Sequence, residues 1–292
     1  MQYGFNTKRF GVIGDPVAHS LSPLMYNTLF ERYGIDALYQ HIFIPEGGID
    51  RLWHIVEALS LYGLNVTMPH KKAVIPFMHE MAEEARDCGA VNTIKIESGR
   101  MYGFSTDGRG FIAALEETGM SVKGSSVLIM GAGGAASNIA FSMARAGAGG
   151  ISILNRTVEK ARDLAAQIKE KTGLKAQAGN MDSGTINRYA AKSDVIINGT
   201  SLGMAGDFDS LEFLKKAPKD AVICETVYHP LYTPLLKKAE EYGFSTVNGA
   251  AMLLHQGLLA FEIYTGIKPN ADDARVVREL MHEAILKGLG KD

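Results

Sequence analysis

The stretch VLIMGAGGAA, residues 127–136, decides the fold. Val127-Leu128-Ile129-Met130 is a short, wholly apolar run of the kind that forms a buried parallel strand. It leads directly into Gly131-Ala132-Gly133-Gly134-Ala135-Ala136, after which a helix-period pattern continues to Ala146. Strand, glycine-rich turn and helix in that order are the context in which G-x-G-x-x-[GA] reads as a dinucleotide-binding fingerprint. Gly131 permits the tight turn, Gly133 lets the backbone approach a pyrophosphate, and Ala136 is small enough for helix and strand to pack closely. A bound anion would meet the free N–H groups of the first helical turn. The alternative reading is a tight turn with no ligand.

Working outward, the next strand, Ile151 to Leu154, carries the choice of cofactor. An enzyme preferring NAD places Asp or Glu near its end to bond the ribose 2′-hydroxyl. Here it ends Leu154-Asn155-Arg156-Thr157, without an acid. Arg156 can stack on adenine and pair with a 2′-phosphate, and Thr157 adds a hydroxyl, so the pattern favours NADP over NAD. The alternative is a solvated arginine at a helix start. A helix over 158–172 and strands at 195–197, 221–223 and 245–247 complete a doubly wound layout. Two helices, at about 250–265 and 271–288, then follow with no strand left to pair. They are expected to pack back on the first part of the chain.

That first part alternates strands (10–13, 39–44, 63–67) with helices (23–33, 49–59), which indicates an α/β unit with a mainly parallel sheet. Ser22 before Pro23 fits an N-cap, and Gly34 closes the helix. The fold class is therefore α/β with two domains. A discontinuous one covers 1–107 plus 249–292, and a Rossmann dinucleotide-binding domain covers 108–248.

The composition excludes several function classes. Thirty basic residues against thirty-two acidic ones leave a net charge of −2, which gives no electrostatic case for nucleic acid or an anionic membrane. No apolar run approaches the ~20 residues that span a bilayer, and the N-terminus lacks a signal-peptide layout. Cys88 and Cys224 are too few and too far apart for a disulfide framework, and the scattered histidines suggest no metal. These features describe a reduced, cytoplasmic, enzyme-like protein.

Polar residues recur between apolar runs. In NVTMPHKK (65–72), Asn65 and Thr67 alternate on a strand and so share a face, while Lys71 is the candidate acid or base. His70 and Lys72 read as surface residues. Ser20 and Ser22 precede a helix and could hold a carboxylate, although capping explains one of them. Asp107 fits an N-cap equally well, and Asn92 fits a turn. Gln256 lies on an apolar helix where its amide needs a partner. Tyr228 follows a strand end, where open α/β sheets bind ligands.

Together these motifs resemble the shikimate dehydrogenase family from about residue 10 to residue 266. GDPVAHSLSPLMYN (14–27), NVTMPHK (65–71), GAVNT (89–93), STDGRG (105–110), GAGGAA (131–136), NRT (155–157), NGTSLGM (198–204), VYHPLYTPLL (227–236) and GAAMLLHQGLLAFEIYTG (249–266) occur in the family's order. The resemblance implies a catalytic pair, Lys71 and Asp107, with substrate held by Ser20, Ser22, Asn65, Thr67, Asn92, Tyr228 and Gln256. It implies an NADP site at Gly131, Ala132, Gly133, Gly134, Ala135, Asn155, Arg156, Thr157, Thr200 and Gly249, with no metal. The implied reaction is reversible hydride transfer between NADPH and 3-dehydroshikimate, giving shikimate in a monomer or homodimer. Departures from the family pattern are Tyr26 for His, His70 for Phe, Ser105 for Asn, Gly199 for Ala and Glu225 for Asp. The last two are similar to the branch that also oxidises quinate and can use NAD. A non-catalytic NADP-binding sensor is the alternative from another class.

Overall fold

The computed structural model describes residue 4 and residues 6–288. The chain forms two compact units. The first runs to Thr106 and resumes at Gln256, and the second runs from Asp107 to His255.

The first unit contains β1 (Lys8–Gly14), α1 (Ser22–Arg32), β2 (Ala37–Phe43), α2 (Leu52–Ala58), β3 (Leu61–Val66), β4 (Glu80–Met81), α3 (Glu83–Cys88), β5 (Thr93–Glu97) and β6 (Arg100–Phe104). Its strands form one sheet in the order β2-β1-β3-β5-β6-β4. β1 lies parallel to both β2 and β3, but β3–β5 and β5–β6 are antiparallel, so the sheet is mixed. The antiparallel half follows from a hairpin. Thr93-Ile94-Lys95-Ile96-Glu97 alternates, Ser98-Gly99 turns with positive φ at both residues, and Arg100–Phe104 returns. One core of this unit joins Ile13, Leu52, Leu64, Val66, Val91, Ile94 and Met101.

The second unit contains α4 (Asp107–Glu116), β7 (Ser126–Met130), α5 (Gly134–Arg145), β8 (Gly150–Leu154), α6 (Val158–Thr172), β9 (Ala176–Gly179), α7 (Ser183–Ala190), β10 (Val195–Asn198), β11 (Val222–Glu225), α8 (Pro234–Glu241) and β12 (Ser245–Val247). Every ladder in its sheet is parallel, in the order β12-β11-β10-β7-β8-β9. The order reverses between β7 and β10. At such a switch point the loops leaving the two strands diverge to opposite faces and leave a crevice for a ligand.

Helix α9 (Gly249–Thr265) begins in the second unit and ends in the first. Its early turns belong with the second unit because the His255 Nε2 lies 3.0 Å from the Glu117 carboxylate beyond α4. Helix α10 (Ala271–Leu286) packs on α1 in the first unit. The Asn270 side chain accepts the N–H groups of Asp272 and Asp273 at 2.8 and 3.1 Å, and the Asp273 carboxylate accepts the Asn270 N–H, which makes a capping box. Asp273 also accepts from Arg32 Nε at 2.7 Å and from the Tyr33 hydroxyl, tying α1 to the start of α10. Burial alone would raise the Asp273 carboxyl. Bonds from Tyr33, Arg32 and the Asn270 N–H outweigh it and hold the group below its ordinary value. A depressed carboxyl stabilises the fold above its unfolded pKa, and that contribution is lost as pH falls through the folded value. Asn270→Ala is expected to lower stability by about 1 kcal/mol, read as a shift of the urea midpoint at constant slope. No change in midpoint would show that the box contributes nothing.

Candidate functional site

In the first unit, polar side chains converge at the C-terminal end of β3 and the ends of the β5–β6 hairpin. Asn65, at the end of β3, donates from Nδ2 to the Asn92 carbonyl at 3.2 Å and to Thr93 Oγ1 at 3.1 Å. Its Oδ1 accepts the Tyr39 hydroxyl at 2.7 Å. Both N–H groups of the amide and one oxygen lone pair are therefore engaged within the protein. Asn92 donates to Thr106 Oγ1 at 2.9 Å and to Gln256 Oε1 at 3.4 Å, and accepts the Thr106 N–H at 2.9 Å. Thr106 Oγ1 also lies 3.3 Å from Gln256 Oε1. The structure thus brings Asn65, Asn92 and Gln256 into one buried network, linked by Thr93 and Thr106. Neither threonine is singled out by the sequence, although each stands beside a motif residue, Asn92 or Asp107.

Ser20 and Ser22 are also together, the Ser20 hydroxyl donating to Ser22 Oγ at 3.1 Å. The expected N-cap role for Ser22 does not hold. The helix already begins at Ser22, and the preceding Leu21 has helical geometry and makes no side-chain cap bond, while Ser20 Oγ accepts the Ser22 N–H at 3.3 Å. Both hydroxyls therefore lie at a helix N-terminus. Tyr26, on the same helix, is fully buried with its ring stacked on Tyr39 at 4.3 Å. Burial, foremost, pushes its hydroxyl far above the ordinary tyrosine value, so it stays neutral.

The NVTMPHKK stretch divides sharply. Thr67 continues the pairing past the end of β3, its N–H bonding the Ile13 carbonyl at 2.9 Å. Pro69, after a cis peptide, ends the strand. Lys71 is half-buried and Lys72 is exposed. The surface reading of His70 is overturned. Its ring Nε2 lies 2.7 Å from the Ile44 carbonyl and the residue is buried, the hydrogen bond giving the buried ring a polar partner.

In the second unit, Asp107 opens α4, is buried, and accepts from Asn138 Nδ2 of α5 at 3.2 Å. The two helices meet closely at Gly108, where a Cβ would lie 2.0 Å from Ser142 Oγ. This contact fixes Asp107 on rigid backbone.

The glycine-rich turn sits at the switch point. Gly131 has φ of +111°, and a Cβ there would lie 2.7 Å from the Gly199 carbonyl, so only glycine fits. Cβ atoms at Gly133 and Gly134 would meet nothing within 4 Å, leaving their backbone open to an approaching phosphate. Ala136 is fully buried, and a Cβ on Gly199 would lie 2.8 Å from its methyl. Beyond β8, Asn155 Nδ2 donates to the Thr157 carbonyl at 2.9 Å, and Arg156 is exposed. Thr157 occupies the N-cap position of α6 without using its side chain as a cap. An anion cradle, a guanidinium and a hydroxyl, with no carboxylate at the strand end, fit a dinucleotide carrying a 2′-phosphate. Thr200, after β10, bonds Asn198 Oδ1 through its N–H (3.1 Å) and hydroxyl (2.6 Å). Gly249 begins α9 with its N–H on the Val227 carbonyl at 3.2 Å, and Tyr228 is half-buried just after that carbonyl. Among the described residues no cluster of His, Cys, Asp or Glu could hold a metal ion, and no helix is long and apolar enough to cross a membrane.

A doubly wound parallel sheet with an open glycine-rich turn at its switch point defines a dinucleotide-binding protein. Family models agree along the chain: a shikimate dehydrogenase substrate binding domain over 12–94, shikimate / quinate 5-dehydrogenase over 113–204, and a shikimate 5′-dehydrogenase C-terminal domain over 249–286. The chain belongs to the shikimate dehydrogenase family. A shikimate dehydrogenase (NADP+) of Symbiobacterium thermophilum is 40% identical over 268 residues, covering 91% of each chain. The crystal structure of Listeria monocytogenes shikimate 5-dehydrogenase with shikimate and NAD superposes with a TM-score of 0.89 at 32% identity, covering 96% of this chain and 98% of that one. The Thermus thermophilus enzyme with NADP(H) and shikimate gives 0.80 at 32% identity, covering 94% and 99%.

Proposed function

We propose that this chain is an NADP-dependent shikimate dehydrogenase, reversibly reducing the C3 carbonyl of 3-dehydroshikimate in aromatic amino acid biosynthesis. The observation that carries the reading is 40% identity, over most of both chains, to a relative bearing that name and cofactor. The first unit is the substrate domain and the second the dinucleotide domain.

NADPH, when bound, supplies the hydride. The chain supplies the grip and the proton. Ser20 and Ser22 offer hydroxyls beside a helix N-terminus for the substrate carboxylate. Asn92 and Gln256, held by Thr106, read ring hydroxyls, as do Thr67 and Tyr228. Asn65 adds its remaining oxygen lone pair and fixes the Asn92 backbone. Lys71 donates the proton to the oxygen at C3 as the alkoxide forms, and Asp107 accepts from the substrate hydroxyl and orients it. Gly131, Ala132, Gly133, Gly134 and Ala135 cradle the pyrophosphate, Asn155, Arg156 and Thr157 hold the 2′-phosphate end, and Thr200 and Gly249 flank the rest of the cofactor. The protein works in the cytoplasm as a monomer or homodimer.

Reduced-nicotinamide absorbance with shikimate or quinate, each with NADP or NAD, tests the reading. The expected result is turnover fastest with shikimate and NADP. Glu225 and Gly199 favour a second reading, a quinate/shikimate dehydrogenase, which predicts comparable turnover of quinate. Activity on none of the four pairs would leave a cofactor-binding sensor. Arg156→Ala is expected to raise the KM for NADP by about 10- to 100-fold, the worth of a charge-assisted pair, while KM for NAD barely moves. Equal effects on both cofactors would remove Arg156 from the 2′-phosphate.

A further inference from the structure

Three fully buried polar side chains meet at the C-terminal ends of β10 and β11: Asn198, Glu225 and Thr233. Asn198 Nδ2 lies 3.0 and 2.9 Å from the two Glu225 oxygens. Glu225 Oε1 also accepts the Val227 N–H at 3.0 Å, and Oε2 accepts the Thr233 hydroxyl at 3.2 Å. All of these groups donate, so the pocket is shaped for a carboxylate, which is acceptor-only. Among the described residues, the partners that stabilise the carboxylate are hydrogen-bond donors and not cations. From β10 the facing group is the Asn198 amide, from the segment after β11 the Thr226 and Val227 backbone, and from the start of α8 the Thr233 hydroxyl. The buried Cys224 thiol, next in the chain, is a titratable neighbour that the Glu225 charge pushes further up.

The network reaches the cofactor cradle. The second N–H of Asn198 donates to the Leu202 carbonyl at 2.8 Å, while its Oδ1 takes both the N–H and the hydroxyl of Thr200. Because Glu225 can only accept, the Asn198 amide must face it with nitrogen and face Thr200 with oxygen. Gly199, between them, bonds the Met130 carbonyl at 2.7 Å, and its own carbonyl closes on Gly131. Fixing Asn198 therefore fixes the 199–206 loop against the glycine-rich turn.

We propose that Glu225 is a positioning residue for the cofactor pocket: its ionised carboxylate locks Asn198, and through it the Thr200 loop, and its protonation loosens that lock. The proposal rests on the reading of this unit as the NADP domain. The proton belongs on Oε2, because Thr233 is the one partner that can turn from donor to acceptor. Asn198 then loses one of its two contacts. Burial pushes the Glu225 carboxyl up to about 7, against hydrogen bonds from Asn198, Val227, Thr233 and Thr226, so the change falls near neutrality. Glu225→Gln keeps the volume but in either orientation sets an amide N–H₂ against Asn198 Nδ2, and also against the Val227 N–H at the Oε1 position or the Thr233 hydroxyl at the Oε2 position.

Two measurements test this. In the wild-type protein, amide exchange at Thr200, Leu202 and Val227 is followed by NMR from about pH 6 to about pH 8.5 and corrected for intrinsic rates, with Ile197 in β10 as control. Protection of the three is expected to rise about tenfold across neutrality while Ile197 stays level, the worth of one charged hydrogen bond. A flat profile would overturn the lock without needing any variant to fold. Second, Glu225→Gln at about pH 8 is expected to raise the KM for NADP about tenfold with kcat changed less. It should also lose the wild-type pH dependence of KM, apart from the background of the 2′-phosphate, which itself titrates near 6. An unchanged KM would overturn the positioning role. If the wild-type protein bound no NADP, the proposed function would fail, and the exchange profile would still decide the lock.

Discussion

Replacing Lys71 with methionine is expected to lower kcat for shikimate oxidation by about 10³, the central worth of a positioned acid–base group. Methionine keeps the length and apolar stem of lysine, and at a half-buried position it should leave the fold intact. The KM for NADP should stay within about twofold, because the proposed role of Lys71 is toward the substrate oxygen and not the cofactor. A role in the chemical step also predicts a primary isotope effect with substrate deuterated at C3 that grows toward its intrinsic value in the variant. If kcat stays within a few-fold of wild type, Lys71 is not the proton donor, and its placement beside exposed Lys72 becomes that of an ordinary basic loop.

Asp107→Asn should be the next most damaging change, with kcat/KM for shikimate falling by about 10² to 10³. The substitution is chosen for what it retains. The asparagine oxygen can still accept from Asn138 Nδ2, and the tight α4–α5 contact at Gly108 is untouched. What disappears is one acceptor oxygen, the property on which the proposed bond to the substrate hydroxyl depends. Thermal unfolding within a few degrees of wild type, alongside the kinetic loss, separates this role from that of a helix cap. A large drop in stability with little change in kcat/KM would instead return Asp107 to the structural function that its position at a helix start also suits.

Local signals made much of this protein legible in the sequence. The glycine-rich turn was readable because its glycines, the apolar strand before it and the helix after it all lie within twenty residues. Helix 158–172 was readable to its ends for the same reason, with Gly173 in the left-handed conformation closing it. The return strand 100–104 was not read, although the alternation of 93–97 followed by Ser98-Gly99 is a hairpin signal. Strand Ala176–Gly179 gives no signal at all, since alanine, glutamine and glycine are poor strand formers and only its parallel neighbour holds it extended. In the site, the asparagines and Gln256 stood out as amides among apolar residues. Thr93, Thr106 and Tyr39, which organise them, did not, because their partners are up to 150 positions apart in the chain. His70 misled for a related reason. Two following lysines made it look solvated, and the carbonyl that buries it belongs to Ile44, a distant strand end.

The contact between Gly199 and Ala136 turns the switch point into a fixed allotment of room held jointly by two positions. The family pattern that the sequence resembles implies alanine at 199, and here a methyl at that place would lie 2.8 Å from the methyl of Ala136. The last letter of the nucleotide fingerprint and the second letter of the NGT corner are therefore not independent. A methyl added at one must be given up at the other, or the backbone between β7 and α5 must move. Gly199→Ala alone would press a methyl onto Ala136, whereas Gly199→Ala paired with Ala136→Gly would remove that overlap.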